Sequence, residues 1–220
     1  MFEDLKYYFL STYRRKALDK ALNKYKYFFK GNILDIGGGK KDGKFQPPVT
    51  KKWVIVDTDK SSKPDVVANV EKLPFKNATF DVVKATELFE HVENLEKGIS
   101  ECSRVLKKGG YLMISSPFMY PLHPDPCDFQ RISRQKWESL AQNNRLKIEK
   151  IEEQGYFFTL ISEILRAAIT NIPWILLRYP LYLLFPFFDL LTRLDSAALV
   201  QNSKFLKNYV CGYFIILIKK

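Results

Sequence analysis

The chain has 220 residues with a hydrophobic share of 46%, enough for one substantial domain with its own core and short of two domains of ordinary size. Its formal net charge of +11 points to an anionic partner: a membrane surface, nucleic acid or a phosphorylated molecule. Cys102, Cys127 and Cys211 are odd in number and widely spaced, which excludes a closed disulfide framework and a zinc-ligand pattern; they read as free thiols in a reducing, cytoplasmic compartment, and no residue is assigned to a metal.

Residues 1–30 are basic and aromatic. The opening MFEDLKYYFLSTYRRK carries early acidic residues and no apolar stretch ending in a small-residue cleavage site, so it does not read as a secretory signal. Leu18, Leu22 and Tyr25 fall at helical spacing. Arg14, Arg15, Lys16, Lys20 and Lys24 among them suit either anionic lipid or a lid over a bound cofactor.

Residues 31–155 alternate short β-branched runs with helical patterns, the signature of a parallel sheet with crossover helices. NILDI, WVIVD, DVVAN, FDVVKA and YLMISSP predict the first five strands, and RLKIEKIEE a sixth. Asn94 caps a predicted helix that Gly109-Gly110 is expected to stop, and Ser133 caps another carrying Trp137, Leu140 and Ala141. The stretch KKDGKFQPPVTKK between the first two strands holds adjacent prolines and many lysines, which rules out an ordinary crossover helix there.

Residues 156–208 are dominated by Leu, Ile, Phe, Tyr and Pro, and residues 209–220 contain a last strand, YVCGYFIILI. The run IPWILLRYPLYLLFPFFDLL matches the roughly 20 apolar residues of a bilayer span. Arg178, Asp189, Pro173, Pro180 and Pro186 within it argue against a clean span and for broken helices in the membrane interface, with Trp174, Tyr179 and Tyr182 at headgroup depth. The alternative is a helical subdomain that packs on the sheet or forms an oligomer face. The segment interrupts two strands that ordinarily form a hairpin, which favours a lipid or partner role.

The candidate ligand groups cluster at strand ends. ILDIGGGK places Asp35, Gly37, Gly38 and Gly39 after the first strand, where open α/β sheets bind ligands and where glycine lets the backbone approach closely. Asp57 ends the second strand about 20 residues later, the spacing at which a carboxylate meets ribose hydroxyls.

The ordered series ANVEKLPFKNATFDVVKATELFEHVENLEKGISECSRVLKKGGYLMISSP, together with ILDIGGGK and WVIVDTD, resembles class I S-adenosylmethionine-dependent methyltransferases of the type 11-like kind, over residues 31–155. The resemblance implies a Rossmann-like α/β fold: a seven-stranded, mostly parallel sheet with its last strand antiparallel, an N-terminal helix and a hydrophobic helical insert. It implies S-adenosyl-L-methionine as cofactor, with Asp35, Gly37 and Gly39 beside the methionine part, Asp57 on the ribose, Asn69 and Val70 at the adenine, and Thr86 and Glu87 at the sulfonium end. Members usually carry an acid in place of Asn69 and a further glycine in place of Lys41.

A subset found with glycan and polysaccharide genes is also similar in PFMYPLHPDPCDFQRIS. There the resemblance sets His123, Asp125, Asp128 and Arg131 on the acceptor side, His123 as a proton acceptor and Arg131 as a clamp for a carboxylate or phosphate. An Asp128–Arg131 pair bracing the loop is the plainer reading of those two, and His91 reads as packing. The expected activity is methyl transfer to a small or lipid-linked acceptor, such as a sugar or glycan intermediate, at the cytoplasmic membrane face. RNA methylation is the second reading, weakened by the lack of a recognisable RNA-binding module. A non-catalytic membrane scaffold is the third, and NAD-dependent reduction the least favoured.

Overall fold

The computed structural model describes residues 2–38, 43–123 and 127–220. Two helices open the chain, α1 (Phe2–Leu10) and α2 (Tyr13–Lys24). Then come β1 (Asn32–Ile36), β2 (Lys52–Asp57), β3 (Val66–Val67), β4 (Phe80–Thr86), α3 (Leu95–Val105), β5 (Leu106–Pro117), α4 (Arg134–Asn143) and β6 (Leu146–Glu153). A helical segment, α5 (Phe157–Thr170), α6 (Ile175–Leu181), α7 (Phe185–Arg193), α8 (Ala198–Gln201) and α9 (Lys204–Lys207), precedes β7 (Gly212–Lys219).

The strands form one sheet in the order β3-β2-β1-β4-β5-β7-β6. β7 runs antiparallel to both of its neighbours, β5 and β6, and the remaining pairings are parallel. Alternation along each strand sends side chains to two cores. Leu34, Ile36, Val83, Ala85, Leu112, Ile114, Ile215 and Leu217 pack with Ile99 and Cys102 of α3 and with Trp137 and Leu140 of α4. On the opposite face Ile33, Val82, Met113, Phe214 and Ile216 are covered by Leu18, Ala21 and Leu22 from α2, by its C-cap Tyr25 and by Phe29.

That second cover explains how the sheet tolerates a missing crossover. Among the described residues between β1 and β2 there is no helix, as the prolines require. Buried Asp19 of α2 accepts the Lys44 amide (2.8 Å) and the Tyr7 hydroxyl (2.6 Å), so the segment is tied to α2. Phe45 stacks toward Phe29, which in turn lies 5.5 Å from Trp53.

The caps on α3 and α4 form as expected: Asn94 accepts the Lys97 amide and Ser133 the Lys136 amide. The stop of α3 differs. The helix ends at Val105, and Leu106 is already extended and paired with Phe80. Lys107–Gly110 then stand opposite the single residue Asp81, so Gly109-Gly110 make a bulge in β5 where a helix stop was expected. Full burial of Leu106 against the sheet outweighs the helix propensity of the lysines that follow.

The insert falls between β6 and β7, as its hydrophobicity suggested. The path from Ile175 to Ser196 stays helical: α6, a 3₁₀ turn at Tyr182–Leu184, α7 and a second 3₁₀ turn. Pro180 and Pro186 therefore tighten the rod where breaks were expected. The segment has mean hydropathy 1.4, and only 11% of its most apolar window is buried. Buried charge ties it to the body. Asp195 accepts the amides of Tyr156, Phe158 and Thr159 at the start of α5. Glu163 accepts the Tyr13 amide (2.6 Å), Arg166 donates to the Tyr8 carbonyl (2.7 Å), and Asp189 accepts the hydroxyls of Tyr8 and Tyr13.

Candidate active site at the carboxyl ends of the strands

The strand order reverses between β1 and β4, which opens a crevice beyond the carboxyl ends of the strands. Gly37 leaves β1 with φ +74° and donates its amide to Val56 of β2 (2.8 Å). At Gly38 a Cβ would overlap the Asp35 carboxylate, so the loop passes where only glycine fits. Gly39 and Asp125 lie outside the described residues. Asp35 is buried on the α2 face of the sheet, where it accepts from Lys84 Nζ (2.7 Å) and Trp53 Nε1 (3.3 Å). Its carboxylate thus holds the loop's base. Asp57 ends β2 half-buried and accepts the Asp59 amide through Oδ1 (2.9 Å). Asn69 is exposed; its Oδ1 accepts the Glu71 amide, which leaves the NH₂ group for a ligand, and Val70 beside it is buried.

Thr86 ends β4 and Glu87 follows it. Glu87 sits at φ +51°, a strained conformation for a non-glycine residue, and its amide donates to the Ser115 carbonyl. Its carboxylate accepts from Arg14 Nη2 and Ser115 Oγ, both at 2.5 Å. Burial works against its charge, yet the Arg14 guanidinium and these hydrogen bonds hold the carboxyl below its ordinary range. Arg14 is buried and also donates to the Cys211 carbonyl, so the lipid-facing role expected for it is corrected: its charge is spent on Glu87. A Cβ on Gly212 would overlap this guanidinium.

Two loops meet beyond Glu87 because β4 and β5 are parallel neighbours. Phe129 donates its amide to the Glu90 carbonyl, and Gln130 donates to the carbonyls of Phe89 and Val92. His123, Asp128 and Arg131 converge there, on one another. Arg131 grips Asp128 with both terminal nitrogens and also donates to the Pro121 carbonyl, while Asp128 accepts the His123 amide (3.0 Å). The hydrogen bonds from Arg131 hold the Asp128 carboxyl well below the usual carboxylate range. This pair braces the loop, the plainer of its two readings.

Sequence reasoning passed over Ser115, Tyr120 and Glu90, took Arg14 for a lipid or lid cation and read His91 as packing. The Tyr120 ring lies 5.4 Å from His123 and 5.9 Å from the Arg14 guanidinium, and burial pushes its hydroxyl pKa up. Glu90 is fully buried, and burial together with the nearby Glu87 charge pushes its carboxyl up to about 8. An acid within a few residues of a strand's carboxyl end was the signal available for it.

Residues 48–114 match the methyltransferase domain family. Those residues carry a methyltransferase domain match on a Rossmann-like sheet. The chain is 37% identical over 93 residues to an uncharacterized protein of Methanocaldococcus jannaschii, covering 39% of this chain and 44% of that protein. It is 33% identical over 113 residues to the ubiquinone/menaquinone biosynthesis C-methyltransferase of Vibrio cholerae, covering 41% and 44%. The matched stretches thus span less than half the length of these curated relatives. Among solved structures, the geranyl diphosphate C-methyltransferase of Streptomyces coelicolor superposes with TM-score 0.56 at 13% identity, covering 93% of this chain and 79% of that one. A methyltransferase-like protein of Bacillus halodurans gives TM-score 0.53 at 17% identity, covering 91% and 95%. Both show the fold. The loop at Gly37-Gly38 and the Asp57 carboxylate at the end of the next strand leave a crevice open to a nucleoside-type ligand.

Proposed function

We propose that the protein methylates a small or lipid-linked acceptor, such as a sugar or glycan intermediate, at a membrane surface. The observation that carries the membrane part is the outer face of the insert: Trp174, Leu176 and Leu183 are 71%, 92% and 83% exposed, with Ile175, Tyr179, Phe187 and Leu190 beside them. Apolar exposure on this scale marks a lipid or partner surface. A cavity of about 640 Å³ opens between α1 and this face, lined by Leu5, Phe9, Tyr182 and Leu183, with Lys6 and Arg178 supplying positive charge for an anionic headgroup. Relatives named for sterol methylation and for ubiquinone/menaquinone biosynthesis are in keeping with an apolar acceptor.

S-adenosylmethionine supplies a methyl group already activated on a sulfonium. The chain's own work is therefore placement. Asp57 accepts hydrogen bonds from the ribose hydroxyls, Gly37-Gly38 let the backbone close on the methionine part, and Val70 and Asn69 border the adenine. Thr86 and Glu87 line the sulfonium end, with Arg14 fixing the position of the Glu87 carboxylate. For an alcohol acceptor, His123 is the group placed to take the proton.

Two measurements test this. Calorimetric titration of S-adenosylmethionine should show micromolar binding that Asp57→Ala abolishes. Vesicle flotation should show binding to anionic over neutral lipid. Well-folded protein that binds no S-adenosylmethionine would overturn the catalytic reading, and protein that never floats would overturn the membrane reading.

A further inference from the structure

Glu90 and His91 sit in the 3₁₀ turn after β4, and His123 in the loop after β5. One ligand atom from each lies within 4.8 Å of the other two, and the imidazole rings meet edge to face with centroids 5.0 Å apart. Three further observations indicate what the cluster is built to hold.

The Glu90 side chain is fully buried, and among the described residues neither of its oxygens has a hydrogen-bond partner. One of them lies 3.9 Å from His91 Nε2. A buried carboxyl in this condition keeps its proton until a counter-charge meets it, and a cation at this spot would supply that counter-charge. The two nearby guanidiniums are committed elsewhere, Arg14 to Glu87 and Arg131 to Asp128.

Both imidazoles are also oriented from behind. His91 Nδ1 lies 2.5 Å from the Cys127 carbonyl, which can only accept, so Nδ1 carries the proton and Nε2 presents a lone pair. His123 Nδ1 faces two acceptors, the Pro121 carbonyl at 3.2 Å and Asp128 Oδ2 at 3.4 Å, which fixes the same tautomer. Metal-binding histidines are held in this way, the second ring nitrogen donating to a carbonyl or carboxylate.

We propose that Glu90, His91 and His123 form a binding site for a divalent transition cation of the zinc class, with three protein ligands and an open position. Two neutral imidazoles and one carboxylate make an N₂O set suited to such ions. Tetrahedral coordination at bond lengths of about 2.0–2.2 Å puts ligand atoms about 3.4 Å apart, so the cluster needs to contract only modestly from its present spacing. With the cation bound, His123 Nε2 is a ligand and no longer a proton acceptor, so the ligand and base roles exclude each other. The proposal does not depend on methyl transfer, and its test reads metal alone.

The test is calorimetric titration of Zn²⁺ into the full chain after chelator treatment, with the absorption spectrum of the Co²⁺-loaded protein reporting coordination number. The expected result is one Zn²⁺ per chain and a four-coordinate Co²⁺ spectrum. Affinity should fall at least about 100-fold in His91→Ala and His123→Ala and at least about tenfold in Glu90→Gln. Cys127→Ser should bind as the parent does. Glu90→Gln keeps the side chain's shape, and its melting temperature in chelator, at or above that of the parent, shows that lost binding reflects a lost ligand. Substoichiometric binding, affinity indifferent to these three residues, or binding that disappears in Cys127→Ser would overturn the proposal.

Discussion

Lys84→Met removes the cation facing Asp35 while keeping an unbranched side chain of similar length. The side chains of the pair are 10% and 8% exposed and their charged atoms 2.7 Å apart. At an effective dielectric near 20, two unit charges at that distance attract by about 6 kcal/mol. Freeing the lysine from its own desolvation offsets part of this, and breaking a buried pair from one side generally costs about 3–5 kcal/mol. The Asp35 carboxylate would keep Trp53 Nε1 at 3.3 Å as a neutral donor. In a chain of this size each kcal/mol shifts the melting temperature by about 2–4 °C, so the expected drop is about 12 °C. The assay is thermal and urea unfolding at pH 7 by circular dichroism. The double variant Asp35→Leu/Lys84→Met removes both charges and should return to within about 1 kcal/mol of the parent. A loss under about 1 kcal/mol in Lys84→Met, or a double variant no better than the single, would refute the argument that this pair is a buried, mutually dependent unit.

Arg14→Met should weaken S-adenosylmethionine binding about tenfold, about 1.4 kcal/mol, by releasing the Glu87 carboxylate, whereas Lys20→Met on the exposed side of α2 should leave calorimetric affinity unchanged. The Asp128 carboxyl is depressed in the folded state, so the stability it contributes is present above the ordinary carboxylate range and lost as pH falls below it. Asp128→Asn should therefore lose stability against the parent at pH 6, and the gap in urea midpoint should narrow toward pH 3. Leu176→Glu and Leu183→Glu alter exposed positions and should stay within about 0.5 kcal/mol of the parent in stability, yet both should abolish vesicle flotation.

All seven strands were legible in the chain because each is a short β-branched run closed by a polar or glycine signal, and the two caps because Asn94 and Ser133 directly precede periodic helices. That the described residues between β1 and β2 hold no helix could be read from Pro47-Pro48, since proline disfavours a helix interior. Less legible was whatever depends on neighbours remote in sequence. The end of α3 was misjudged because Leu106 answers to Phe80 across the sheet and not to its own flanking lysines. Arg14 looked like part of a basic face for anionic lipid or of a lid, since nothing local reveals Glu87 on the other side of it. His91 and His123 meet because two loops leave adjacent parallel strands, a fact of strand order that periodicity does not contain.

Tyr13 and Arg14 are consecutive residues with opposite allegiances. The first takes the insert by its backbone and its hydroxyl, through Glu163 and Asp189; the second takes the strand edge through Glu87. One peptide bond thus joins the helical insert to the crevice beside Glu87. Thermodynamic linkage makes such a joint work equally in both directions. If settling on a bilayer displaces α2 so that the crevice binds its ligand more tightly by some factor, the loaded crevice must tighten the grip on the bilayer by the same factor.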